Sequence, residues 1–150
     1  MLHFKHQQIV PYSPKQMFDL VMDIPSYPEF LPWCSNAKII EQTQDQMLAD
    51  LTVNFVVLAQ TYRSKINTFC LENQEYKIVI SSDRNIFDLL DCCWLISADA
   101  DKTNMQFSMD VQFKSGMLQN LANVFIQNIS KEIIDLYQQR AQKIYQHKRS

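Results

Sequence analysis

Between residues 36 and 113 apolar side chains tend to recur at every second position, and after Gly116 they recur every three to four. This switch of period constrains the fold more than any other feature of the chain. Successive side chains of a strand point to opposite faces, whereas those of a helix share a face at i, i+3 and i+4. In TNMQFSMDVQFK the residues Met105, Phe107, Met109, Val111 and Phe113 face one way, and Asn104, Gln106, Ser108, Asp110 and Gln112 the other. QMLADLTVNFV places Met47, Ala49, Leu51, Val53 and Phe55 on one face. EYKIVIS does so with Tyr76, Ile78 and Ile80, QTYRSKINTFC sets Tyr62 and Ile66 against Arg63 and Lys65, and FDLLDCCWLIS is nearly apolar on both faces. Short polar connections (TQD, LENQ, DADK) join these runs. The pattern predicts six antiparallel strands with one wet face.

The flanks complete the order. HFKHQQIV reads as a first strand. In PYSPKQMFDLVMDI, Ser13 is the expected N-cap, Pro14 takes the first helical position and Gln16 closes a capping box. SYPEFLPW repeats the device, with Ser26 as cap, Glu29 closing the box and Pro32 stopping a single-turn helix from Ser26 to Leu31. From Gly116 to about residue 145, Leu118, Leu121, Ala122, Phe125, Ile129, Ile133 and Leu136 form one stripe. That predicts one helix about 40 Å long, whose C-terminal dipole suits Lys143, Lys148 and Arg149. The fold class expected is α+β. A curved six- to seven-stranded antiparallel sheet wraps a long C-terminal helix in a helix-grip arrangement, with two short helices after the first strand. At 150 residues the chain fits a single domain, 1–150.

Several function classes are excluded. Gly116 is the single glycine, so no Gly-rich phosphate loop or dinucleotide fingerprint exists. A net charge of −2 gives no broad footprint for DNA. Cys34, Cys70, Cys92 and Cys93 lack CxxC spacing and His3, His6 and His147 lie near the chain ends, so no metal site is expected. No Ser/His/Asp, Cys/His or paired-carboxylate set converges, and Asp91 reads as a water-contacting strand residue. No catalytic residue is assigned. No apolar run approaches the ~18 residues of a membrane span, and MLHFKHQQ lacks a signal peptide's hydrophobic stretch; a cytoplasmic location is expected.

What remains is greasy surface. The segment DIPSYPEFLPWC (23–34) is too proline-rich for a long helix and too apolar for a solvated loop. It is either a plug that closes a core or a lid over a cavity. The apolar strand faces carry the same two readings, a solid core or the lining of a tunnel. For a lid and tunnel, the candidate ligand-binding residues are Tyr27, Phe30, Leu31 and Trp33 at the mouth. Along the tunnel they are Val53, Phe55, Tyr62, Trp94, Phe107 and Phe125. The Tyr62 hydroxyl and the Trp94 indole N–H are candidate polar handles.

VPYSPKQMFDLVMDIPSYPEFLPWC (10–34), MLADLTVNF (47–55), VQFKSGMLQNLANVF (111–125) and RAQKIY (140–145) together resemble one family. This is the coenzyme Q-binding branch of the START-like (polyketide cyclase and lipid-transport) superfamily, to which the ribosome-association toxin RatA also belongs. The resemblance implies a hydrophobic cavity between sheet and long helix, with the short helices near its mouth. It implies ubiquinone or another polyprenyl lipid as ligand, support of respiratory electron transfer without catalysis, and transient contact with the inner face of the respiratory membrane. On that basis the proline-rich segment is a lid. The RatA side of the family implies instead binding of the large ribosomal subunit and a block of subunit association. That activity calls for a basic RNA-facing patch, and Lys5, Lys15, Lys38, Lys143, Lys148 and Arg149 are scattered. A third alternative is a cyclase-like enzyme that works through cavity shape. The family's Gly-Pro-Phe-like turn is replaced here by Arg84-Asn85-Ile86-Phe87, which keeps only the phenylalanine.

Overall fold

The computed structural model describes residues 2–55 and 58–145, the side chains of Phe55 and Leu58 excepted. His147, Lys148 and Arg149 lie outside the described residues. Strand β1 (Leu2–Val10) is followed by helix α1 (Pro14–Met22), a 3₁₀ turn (Ile24–Ser26) and the one-turn helix α2 (Tyr27–Phe30). Six strands follow: β2 (Cys34–Gln42), β3 (Gln46–Phe55), β4 (Leu58–Leu71), β5 (Glu75–Ser82), β6 (Phe87–Asp99) and β7 (Lys102–Phe113). Helices α3 (Gly116–Ser130) and α4 (Ile133–Tyr145) complete the described chain.

All seven strands form one antiparallel sheet in the order β1-β7-β6-β5-β4-β3-β2. The expected alternation fixes its register. Phe4 pairs with Met109, Trp94 with Phe107 and Ile78 with Trp94, so large side chains stack in rows along one face. Register shifts at Cys34/Asn36 and Ile39/Glu41 in β2, and at Phe87/Leu89 in β6, bend the sheet. α3 packs against β1, β7 and β3, and α4 against β1, α1 and α2, so the helices close the same side of the sheet. Ala122, Ile126, Ile133, Tyr137 and Ala141 form their buried stripe.

The long helix expected from periodicity is broken at Lys131–Glu132. Ser130 Oγ donates to the Gln127 carbonyl at 2.9 Å, and the Glu132 N–H reaches only back to the Ile129 carbonyl at 2.9 Å. Serine back-bonding of this kind bends helices, and the tightened turn ends the ladder before Leu136 restarts it on the Glu132 carbonyl at 3.0 Å.

The first capping box forms as expected. Gln16 N–H donates to Ser13 Oγ at 3.1 Å, and the Ser13 N–H donates to Gln16 Oε1 at 3.0 Å. The second does not. The 3₁₀ turn preceding α2 already holds Ser26 at φ −86°, ψ −6°, and its side chain makes no cap bond; a capping side chain needs extended backbone. Glu29 turns outward instead, and the helical turn runs from Tyr27 to Phe30 rather than from Ser26 to Leu31.

Strands β6 and β7 are joined through Ala100 and Asp101, with Ala100 at φ 55°. An L-residue in the left-handed region costs about 1–2 kcal/mol, which glycine avoids. After the greater unfolded-chain entropy of glycine is deducted, Ala100→Gly should raise stability by about 1 kcal/mol. The check is a higher urea midpoint at unchanged slope; a lower midpoint would show that the turn carries no such strain.

Candidate functional site

The concave face of the sheet does not fill completely. Between it and the helices lie two adjoining chambers of about 90 Å³ and about 110 Å³. They share the walls Trp33, Val53, Tyr62, Leu90, Phe107, Met109 and Ile133. Alternation along the strands puts these side chains there, because Val53 and Tyr62 point inward while Arg63 and Lys65 are exposed. Among the described residues no charged side chain lines either chamber. Each is smaller than the roughly 150 Å³ that suffices to hold benzene. A longer ligand must therefore widen the space on entry.

The smaller chamber runs under α3, where Phe125, Ile126 and Ile129 form its roof. Its floor includes Phe87, which packs against Phe113 with tilted rings at 4.7 Å and meets Tyr62 edge-on at 5.1 Å. The phenylalanine kept in the Arg84–Phe87 turn is thus a chamber wall, while Arg84 and Asn85 are exposed. The larger chamber lies under the α2–β2 segment, roofed by Tyr27, Leu31 and Trp33 with Tyr137 of α4. Trp94 forms its side, 4.6 Å from the Phe107 ring and 5.0 Å from that of Tyr137. Trp33 is half-buried and meets Phe125 edge-on at 6.5 Å, which joins the proline-rich segment to α3 above both chambers.

Polar groups divide into two sets. Tyr27 donates to the Val21 carbonyl and its ring meets that of Tyr137 edge-on at 6.0 Å, which ties the end of α1, α2 and α4 together. The Cys34 thiol donates to the Asn36 carbonyl at 3.5 Å. In contrast, Ser64, at 0% exposure, leaves its Oγ without a partner, and Tyr62, two residues before it on the same face, lines both chambers with its ring. Burial pushes the phenols of Tyr27, Tyr62 and Tyr137 and the thiol of Cys92 well above their usual values. The chamber walls therefore stay neutral at physiological pH. They present no group poised to exchange a proton near pH 7. Asp91 is exposed on the outer face of β6.

Of the residues expected at a mouth, Tyr27, Leu31 and Trp33 roof the larger chamber, and Phe30 lines neither chamber. Phe30 lies on the outer side of α2, edge-on to Tyr137 at 5.2 Å, with the Arg140 guanidinium 5.4 Å above its ring. Arg140 Nη2 also donates to Glu29 Oε2 at 3.3 Å, which holds α2 against α4. Of those expected along a tunnel, Val53, Tyr62 and Phe107 line both chambers. Trp94 lines the larger and Phe125 the smaller; the Phe55 side chain lies outside the described residues. Sequence reasoning passed over Ser64 and Tyr137. Ser64 had a signal, a small polar residue in phase with Tyr62 and Ile66 on an otherwise apolar strand face.

Comparison with known proteins follows the same architecture. The chain is 31% identical over 144 residues to the ribosome association toxin RatA of Rickettsia prowazekii, covering 96% of this chain and 99% of that protein. It is 26% identical over 148 residues to the mitochondrial coenzyme Q-binding protein COQ10 homolog B of Xenopus laevis, covering 96% of this chain and 59% of that one. The Zhui aromatase/cyclase from Streptomyces sp. R1128 superposes with a TM-score of 0.79 at 14% identity over 95% of this chain and 94% of its own. Residues 10–135 match the family model described as polyketide cyclase/dehydrase and lipid transport. The match runs from the end of β1 into the first turn of α4, and the chain belongs to the polyketide cyclase/dehydrase and lipid transport family.

Proposed function

We propose that this protein binds ubiquinone or a related polyprenyl lipid between sheet and helices, and presents it to respiratory membrane enzymes without transforming it. The observation that carries this reading is a pair of adjoining chambers walled by apolar and aromatic side chains with no charge. An uncharged apolar lining favours a ligand that leaves water for hydrophobic reasons. Neutral tyrosines and thiols offer hydrogen bonds but no acid–base chemistry near pH 7. The likeness to a coenzyme Q-binding protein supports the ligand class. Among the described residues no helix is long and apolar enough to cross a membrane, so membrane contact in this reading is peripheral.

The lid is the element to test. Trp33→Ala removes the ring that bridges the α2–β2 segment to Phe125, opening both chambers toward solvent. Quinone retention should fall about fivefold or more while the far-ultraviolet circular dichroism spectrum stays unchanged, measured as lipid co-purifying per mole of protein. Equal retention by the folded variant would remove Trp33 from the lid.

A second reading draws support from the 31% identity to RatA over nearly the whole chain. It holds that the protein binds the large ribosomal subunit. The exposed lysines do not favour it: Lys5 lies on β1 and Lys38 on β2, at opposite edges of the sheet, and Lys15 is paired with Asp19 at 2.5 Å. Ribosome co-sedimentation at low and high salt separates the readings, because phosphate-driven binding weakens steeply with salt.

A further inference from the structure

We propose that Ser64, together with Tyr62, is the hydrogen-bonding site for a carbonyl oxygen of the ligand's ring. On this view the ligand enters ring first and lies with its ring deep under α2. This rests on the apolar-ligand reading above and adds the polar end of the ligand and its orientation.

Ser64 is fully buried on β4, lines the larger chamber and has no partner for its hydroxyl. Its cross-strand neighbours offer none: Ala49 on β3 is a methyl group, and Ser82 on β5 donates its own hydroxyl to the Asp83 carbonyl at 2.9 Å. An unmade buried hydrogen bond is costly, and such groups in folded proteins regularly mark a missing partner. Ala49 and Ser64, two of the smallest side chains on this face, sit side by side and keep the floor hollow where larger residues would fill it. Two residues along the same face, Tyr62 lines both chambers, and its hydroxyl donates to no other described residue.

Of the other hydroxyls of the larger chamber, that of Tyr27 is spent on the Val21 carbonyl, and Tyr137 packs edge-on against the Tyr27 ring at 6.0 Å. The buried hydroxyl left to an incoming polar atom therefore stands on β4, at Ser64. A ligand atom that accepts without donating and sits on a flat apolar ring matches this arrangement, and a quinone carbonyl is such an atom. The walls around Ser64 suit a ring, with Trp94 and Phe107 packed 4.6 Å apart beside it. The tail then leads into the smaller chamber, past Trp33 and Phe125.

The test uses two probes and intrinsic tryptophan fluorescence of the full chain. One probe is a ubiquinone with a two-isoprene tail; the other carries the same tail on an unsubstituted benzene ring. Wild-type protein should bind the quinone about fivefold or more tighter than the benzene analogue. Ser64→Ala and Tyr62→Phe should each weaken quinone binding about three- to tenfold, as expected for one neutral hydrogen bond, and leave the benzene analogue unchanged. Ser64→Ala should also melt no lower than wild type, because it removes an unsatisfied buried hydroxyl. Equal binding of both probes with no effect of either substitution overturns the carbonyl site and leaves the apolar-ligand reading standing. Failure of both probes to bind the folded wild-type protein overturns both.

Discussion

Replacing Trp94 with alanine should destabilise the protein by about 3–5 kcal/mol, the range for removing a large buried aromatic. Trp94 is 2% exposed, pairs across the sheet with Phe107 and Ile78, and meets the Tyr137 ring on α4 edge-on at 5.0 Å. It is the contact through which the middle of the sheet holds the C-terminal helix. Its loss leaves a void that merges with the larger chamber, and the surrounding strands, fixed by their register, can only partly collapse into it. Chemical denaturation followed by circular dichroism measures the effect. Because the enlarged void is apolar, the variant should be rescued more than wild type by a small apolar ligand such as benzene, through binding to the folded state alone. A loss below about 1 kcal/mol would mean that the chamber walls are already loosely packed, contrary to the burial at this site.

Filling the chambers is the complementary experiment. Val53 on β3 lines both of them and is half-buried. In Val53→Phe the added ring enters the space at the junction rather than a packed region, so stability should change by no more than about 1–2 kcal/mol. Ligand retention should drop at least tenfold, because neither chamber can then pass a chain to the other. Trp94→Ala and Val53→Phe thus move stability and binding in separable ways. If Val53→Phe retains its lipid as wild type does, the ligand does not occupy this space.

Much of the fold was legible because period alone carries it. Met105 to Phe113 alternate without exception, and the short polar connections make β2 to β7 antiparallel neighbours in chain order, whereas the pairing of β1 with β7 is long-range and no local period carries it. What escaped sequence reasoning depended on competition between local signals. Ser26 and Glu29 spell a capping box, but Pro25 inside a 3₁₀ turn fixes Ser26 in helical backbone first. Ser130, Lys131 and Glu132 are all tolerated in helices, and the break arises from one side chain bonding back to its own helix. The candidate site was legible as a list of aromatics and illegible as an arrangement. Tyr27 and Tyr137 are 110 positions apart in sequence, and their edge-on contact exists only because α4 folds back over α2. Phe30 looked like its neighbours in sequence, yet the turn of α2 carries it to the outer side, against Arg140.

The central claim is that these chambers hold a prenyl lipid. It is tested most directly by purifying the protein without detergent, extracting it into organic solvent and identifying the extract by mass spectrometry, with Val53→Phe prepared in parallel. The account predicts a polyprenyl quinone or related prenyl lipid in the wild-type extract and about a tenth as much, or less, in that of the variant. A well-folded wild-type protein that yields no lipid, and takes none up from quinone-containing vesicles, would contradict it.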